Sequence, residues 1–347
     1  MAEEKLLQEQ PEKESSSLLQ VEGLHVQYRT DDATVYALNG VDLALSRGET
    51  LGLVGETGAG KTTLALSILR LLPKSVGRIT GGSVVFDGTD LLQEKESAML
   101  SYRGKRISII FQDPMTSLNP VMRVGDQVAE ILKLHNEEKL SESEIDRRVD
   151  EMFQLVGISP DRKNEYPHQF SGGMKQRVVI AISLACEPEL LIADEPTTAL
   201  DVTIQAQVLA MMGDLKKRLN TSMILITHDL GIVAETCDRV AVMYAGEIVE
   251  TGSIFDIFEA DKRHPYTEGL FGSIPNLDED AERLHPIEGL MPDPTIQPAG
   301  CRFAPRCKKR TARCLTEAPK PMDLGGGHVI RCHLFAEGGE PSHAHAH

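Results

Sequence analysis

No stretch of this chain approaches the roughly 18 uninterrupted apolar residues needed to cross a bilayer, so no segment is expected to lie within a membrane. Positive charge is also short: 36 Lys and Arg stand against 52 Asp and Glu, a formal net charge of −16. A nucleic-acid surface usually needs a basic stripe, so this balance argues against a nucleic-acid partner without forbidding one. Residues 1–17 are rich in Glu, Gln, Lys and Ser and lack the apolar core of a secretion signal; they read as a disordered tail. No internal repeat is present. At 347 residues there is room for one large α/β domain plus an appendage. These absences leave a protein expected in the cytoplasm, meeting any membrane through a partner.

What is present is a glycine loop of one specific form. Gly55-Glu56-Thr57-Gly58-Ala59-Gly60-Lys61-Thr62 fits G-x-x-x-x-G-K-[ST]. It follows the apolar run Thr50-Leu51-Gly52-Leu53-Val54 and leads into the helical-looking Thr63-Leu64-Ala65-Leu66-Ser67-Ile68-Leu69. Strand, glycine loop and helix make a phosphate cradle. Glycines let the backbone curl so that its N–H groups point inward at phosphate oxygens, and the new helix adds the positive end of its dipole. On this reading Gly55 to Thr63 hold a nucleotide, Lys61 reaches the β- and γ-phosphates, and the Thr62 hydroxyl sits on Mg²⁺.

Downstream, Leu190-Leu191-Ile192-Ala193-Asp194-Glu195 reads as a buried strand ending in two carboxylates, stopped by Pro196. Ligand chemistry gathers at the carboxyl ends of such strands. Asp194 is placed to hold Mg²⁺ and Glu195 to polarise an attacking water. An acidic helix cap would be the plainer account of an isolated Asp-Glu pair; the glycine loop upstream weighs against it. Between the two lies Phe170-Ser171-Gly172-Gly173-Met174-Lys175-Gln176-Arg177, opening an apolar helix. Ser171 is a good helix N-cap, and Gly172 and Gly173 bare their backbone N–H groups at a positive helix end, a second anion site.

These segments together resemble the ATP-binding cassette (ABC) ATPases. The resemblance implies an α/β fold: a P-loop nucleotide-binding domain over about 18–258, with a core parallel sheet, an antiparallel β subdomain and a helical subdomain near 124–185. In that family the Ser-Gly-Gly turn meets the γ-phosphate of ATP bound to the opposite subunit. Gln112 in Phe111-Gln112-Asp113-Pro114 resembles the loop that touches Mg²⁺ and senses the membrane partner. Ala199-Leu200-Asp201 matches the segment that communicates across the subunit interface, and His228 in Ile226-Thr227-His228-Asp229 the histidine that holds the γ-phosphate. The family also stacks adenine on an aromatic residue after the first strand; Tyr28 is the candidate and Tyr36 the runner-up. One cassette per chain implies pairing with a second.

Residues 259–337 exceed a minimal cassette. They are proline-rich and hold Cys301, Cys307, Cys314 and Cys332, whereas Cys186 and Cys237 lie in apolar cassette segments as small hydrophobes. Disulfides are improbable in a reducing cytoplasm. Five, six and seventeen residues separate the four cysteines. Zinc remains an alternative, although its structural sites typically use C-x₂₋₄-C pairs; an iron–sulfur cluster suits irregular spacing better. Arg302, Arg306, Lys308, Lys309, Arg310, Arg313 and Arg331 crowd the cysteines and are expected to offset thiolate charge. The bland account is a basic loop with unrelated thiols.

His264-Pro265-Tyr266-Thr267 and Gly300-Cys301-Arg302-Phe303-Ala304-Pro305-Arg306-Cys307 resemble the C-terminal region of dipeptide/oligopeptide ABC importer ATPases. Thr57, Ala59 and Thr62 stand where serines are commoner there. The resemblance implies an ATP hydrolase at the cytoplasmic face of the plasma membrane, bound peripherally to two membrane permease subunits. A second, paralogous ABC ATPase and an extracytoplasmic peptide-binding protein would complete the importer, and in several members the four cysteines hold a 4Fe-4S cluster. An importer of nickel or another solute is the nearer alternative; a soluble ABC ATPase acting on DNA or ribosomes is the more distant one. The histidine-containing tail at 338–347 reads as solvated.

Overall fold

The computed structural model describes residues 17–198, 200–273 and 287–336. The tail at 338–347, residues 1–16 and Ala199 lie outside the described residues. Ser17, assigned to the tail from sequence, instead begins the first strand, β1 (Ser17–Arg29).

β1 pairs antiparallel with β2 (Thr34–Ser46). Buried Leu19, Val21, Leu24 and Val26 of β1 face one side while Gln20, Glu22 and His25 are exposed, as expected of a sheet with one wet face. Next comes β3 (Thr50–Val54), with all five residues buried, then the glycine loop and α1 (Lys61–Ile68). β4 (Gly77–Phe86) turns at Asp87-Gly88 into β5 (Thr89–Asp90), giving an antiparallel sheet in the order β2-β1-β4-β5. α2 (Glu96–Tyr102) leads to β6 (Ile107–Ile110) and the short α3 (Pro114–Ser117).

Three helices follow where a helical subdomain was expected: α4 (Val124–Leu134), α5 (Glu142–Leu155) and α6 (Gly172–Leu184). α5 starts at a reciprocal capping box between Ser141 and Glu144. It buries Ile145, Val149, Met152 and Phe153, an i, i+4, i+7, i+8 stripe. The core sheet resumes with β7 (Leu190–Asp194), α7 (Val202–Leu219), β8 (Ser222–Ile226), α8 (Leu230–Thr236) and β9 (Arg239–Tyr244). β6, β7, β8, β3 and β9 are mutually parallel, and β3 lies between β8 and β9. That crossover places the glycine loop beside the ends of β7 and β8, a switch point where α/β sheets bind ligands.

Ala245-Gly246 turns the chain into β10 (Glu247–Ser253), antiparallel to β9. The chain then passes α9 (Ile254–Phe258), α10 (Pro265–Gly272) and α11 (Arg313–Thr316) to the short β11 (Met322–Asp323) and β12 (Val329–Ile330). β12 pairs with β10, so the extension adds two strands to the cassette's own sheet. Tyr244 of the cassette packs against Tyr266 and Phe303 of the extension, with ring centroids 4.6 and 5.2 Å away. Fully buried Glu250 fastens the same seam. Its carboxylate accepts the His264 N–H at 3.0 Å and the Thr267 hydroxyl, and meets His328 Nε2 at 2.9 Å. The extension shares the cassette's core. Among the described residues, no helix is long and apolar enough to cross a membrane.

Candidate nucleotide-hydrolysing site

A cleft of about 630 Å³ opens beside the glycine loop. Gly60 has φ +110°, and a Cβ there would stand 2.9 Å from the Ala37 carbonyl, so no other residue fits without strain. Lys61 is buried, and its Nζ donates to the Gly55 carbonyl at 2.7 Å and the Glu56 carbonyl at 3.1 Å. Burial draws this ammonium below its usual range, with Glu195, Asp194 and Glu56 pulling against the shift. The Thr62 hydroxyl donates to Asp194 Oδ2 at 2.7 Å. Asp194 is itself raised by burial, an effect the Thr62 bond partly offsets.

Glu195 is the convergence point. It takes a left-handed conformation, φ +47°, which turns it out of the strand axis while its N–H stays on the Ile226 carbonyl at 2.8 Å. Its Oε2 accepts from Gln112 Nε2 at 3.0 Å and from the Thr198 hydroxyl at 2.9 Å. His228 Nδ1 lies 3.4 Å from Oε1. Burial works to raise the Glu195 carboxyl, but the Thr198 bond, His228 and Lys61 together hold it below the ordinary range. Thr198 was not singled out from sequence; its position three residues past Glu195 was the available signal.

Gly55, Glu56, Thr57, Gly58, Ala59 and Thr63 fall in the same loop and helix start. Thr57, Gly58 and Thr63 line the cleft, and Ala59 is buried beneath. Both tyrosines face the cleft. The Tyr28 hydroxyl lies 3.2 Å from Thr63 Oγ1, whereas the Tyr36 N–H donates to the Pro294 carbonyl at 2.8 Å.

Ser171, Gly172, Gly173 and Asp201 lie elsewhere. None of them lines the chain's own cleft. Ser171 occupies the N-cap position of α6, but its hydroxyl makes no capping bond and is exposed, contrary to the role expected for it. Gly173 sits hard against α7: a Cβ there would lie 2.6 Å from Ile204 Cγ2. Asp201 caps α7, accepting the Ile204 N–H at 3.0 Å. The two segments lie against each other, Gly172 beside Leu200 and Gly173 beside Ile204, as one partly exposed ridge apart from the cleft.

The family model described as ABC transporter matches residues 38–198, and that described as oligopeptide/dipeptide transporter, C-terminal region, matches 249–314. The oligopeptide transport ATP-binding protein AppD of Bacillus subtilis is 48% identical over 326 residues, covering 93% of this chain and 98% of AppD. The dipeptide transport ATP-binding protein DppD of the same organism is 48% identical over 91% of this chain and 94% of its own. This chain belongs to the ATP-binding proteins of ABC transporters. It is an ABC-type ATPase. Among solved structures, a dimeric cassette, MJ0796, bound to ADP and Pi matches with TM-score 0.61 and 25% identity over 68% of this chain and 98% of that one. CbiO1 from Clostridium perfringens matches equally well by TM-score, 0.61, at 32% identity over 70% and 90%.

In this ABC ATPase burial raises the Cys307 thiol while the charge of Lys309 pulls against it, as expected of a cation beside a thiolate. Six of the seven basic residues named around the cysteines also pair with carboxylates. Arg302 pairs with Glu247, Arg306 with Glu56, Lys308 with Glu288, Lys309 with Glu268, Arg313 with Glu317 and Arg331 with Asp42. The four thiols themselves are at least half-buried. Burial raises Cys301 to about 11 and Cys332 to about 12, and Cys332 feels the charge of Cys301, Cys307 and Cys314. Cys186 and Cys237 are likewise raised by burial, to about 11 and about 12, as inert core thiols. Among the described residues, no three His, Cys, Asp or Glu side chains are placed to hold a single metal ion. Arg306 carries a contact that sequence reasoning missed. Its guanidinium forms a two-pronged bond with Glu56 of the glycine loop, at 2.7 and 3.0 Å, and is itself buried. The partners are 250 residues apart, so no local pattern could signal it.

Proposed function

We propose that this ABC ATPase powers the import of dipeptides or oligopeptides. The observation that carries the reading is the match of residues 249–314 to the oligopeptide/dipeptide transporter C-terminal region, on top of a complete hydrolytic constellation. Relatives named for oligopeptide and dipeptide transport extend that similarity over nine-tenths of the chain. It works at the cytoplasmic face of the membrane on two permease subunits, together with a second ABC ATPase and an extracytoplasmic peptide-binding protein.

In the hydrolytic step, water attacks the γ-phosphorus, the bond from that phosphorus to the β–γ bridging oxygen breaks, and ADP departs. Glu195, deprotonated at neutral pH, takes the water's proton. Gln112, Thr198 and His228 hold its carboxylate in place, and His228 turns toward the γ-phosphate when nucleotide is bound. Lys61 leaves the loop carbonyls for the phosphates. Thr62, Asp194 and Gln112 offer the oxygen donors that Mg²⁺ prefers, and the ion supplies charge neutralisation on the phosphates. The ridge of Ser171, Gly172, Gly173 and Asp201 meets the partner subunit's nucleotide, which is why it stands apart from this chain's own cleft.

Cys301, Cys307, Cys314 and Cys332 are assigned to a 4Fe-4S cluster. The donor set is all sulfur, shielded and within mutual electrostatic reach. Cys301, Cys307, Cys314 and Cys332 would supply the four thiolate ligands of such a cluster, and their irregular spacing suits it better than zinc. The reading is tested by reconstituting the chain with its co-purifying permeases in liposomes. Peptide-loaded binding protein should stimulate ATP turnover; stimulation by nickel with none by peptide, or recovery of ribosomes in place of permeases, would overturn it.

A further inference from the structure

Part of the cleft's lining belongs to neither the glycine loop nor the carboxylate cluster. Met291, Pro292 and Pro294 of the extension line it alongside Tyr28, Val35 and Tyr36. This apolar set differs in chemistry from Lys61, Thr62, Gln112, Glu195 and His228 in the same cleft. The extension's wall is fixed in place. Pro294 accepts the Tyr36 N–H at 2.8 Å, and Gln297 Nε2 donates to Asn39 Oδ1 at 3.4 Å. Asn39 in turn donates to the Tyr36 and Ala245 carbonyls, tying the wall to the turn beside the glycine loop. Met291 packs against both apolar clusters of the core. Further along the same segment, Arg306 grips Glu56, so the extension holds the cleft at two points.

A nucleoside triphosphate has one highly charged end and one flat, largely apolar end. The lysine, hydroxyls and N–H groups suit the first; the tyrosines, prolines and methionine suit the second. Prolines present a rigid face that loses little freedom on contact, and a methionine thioether makes favourable contacts with ring systems. We propose that Met291, Pro292 and Pro294 form one wall of the base-binding end of the nucleotide site, so that the C-terminal extension takes part in ATP recognition. The proposal rests on the reading of this cleft as the ATP site.

The test is calorimetric titration of the full-length chain with ATP and, separately, with inorganic tripolyphosphate, which carries the charged end alone. Met291→Asp should weaken ATP binding about tenfold and leave tripolyphosphate affinity unchanged, while Met291→Leu should restore ATP binding. If Met291→Asp does not fold, Pro294→Gly on the exposed part of the wall serves instead, with a loss of about threefold for ATP alone. Unchanged ATP affinity would overturn the proposal. Equal losses for both ligands would also overturn it, because the wall would then be acting by propping the phosphate loop. A distinct failure, ATP binding that survives Lys61→Ala undiminished, would sink the underlying reading of the cleft.

Discussion

The phosphate end of the cleft and the extension that flanks it are built on opposite plans. The phosphate end is assembled from short contiguous segments at the ends of parallel strands, each delivering one or two chemical groups: Lys61 and Thr62 after β3, Gln112 after β6, Asp194 at the end of β7 with Glu195 just beyond it, His228 after β8. The extension is joined to it by contacts between segments far apart in the chain. It reaches the site through single long-range ties, Arg306 to Glu56 and Tyr36 to Pro294, and through strands β11 and β12 of two residues each. Chemistry that depends on a fixed spacing is written in motifs; attachment that any complementary pair can supply is not.

Four experiments would sharpen or break that contrast. The largest effect should come from the ridge outside the cleft. Gly173→Asp puts a charged side chain where even a Cβ meets Ile204, and into the space proposed for the partner's phosphate. ATP turnover by the assembled transporter should fall by about a thousandfold, while ATP binding by the isolated chain survives. Retained turnover would remove the ridge from the mechanism. Next comes Arg306→Met, which leaves Glu56 without its charge-assisted fork. ATP and tripolyphosphate affinity should fall together, by about tenfold, and Glu56→Gln should add little on top. Additive losses in the double variant would show that the two residues act separately.

A smaller effect is expected at Thr198. Thr198→Val removes a donor that holds the Glu195 carboxyl low. The kcat should drop by about tenfold with KM unchanged, and the acid limb of the pH–rate profile should move to higher pH. An unmoved limb would mean that Thr198 does not tune the base. The smallest concerns the seam. His264 is buried and lowered to about 3, its Nδ1 accepting the Tyr266 N–H. The unfolded chain binds a proton near pH 6.5 that the folded chain refuses until far lower. The stability that neutral His264 provides is thus complete above about 6.5 and lost progressively as pH falls toward 3. Melting curves of wild type and His264→Asn should diverge at neutral pH and converge in acid; parallel curves would assign the acid response elsewhere.

The residues that gather around the glycine loop and Glu195 were legible because glycines, a lysine and paired carboxylates at set distances from apolar runs serve few other purposes. The buried strands at Thr50–Val54 and Leu190–Asp194 were readable from their continuous apolar runs. Glu250, Thr198, Arg306 and the wall at Met291 were not. Their roles arise from partners distant in the chain or from a single ordinary hydroxyl.

The most direct test of the central claim is Glu195→Gln in the transporter reconstituted with its permeases. The side chain keeps its size and remains able to accept from Gln112 and Thr198, but it can no longer take a proton from water. ATP should bind as before and turnover should nearly vanish. Hydrolysis at the wild-type rate would contradict the assignment of Glu195 as the residue on which the site converges.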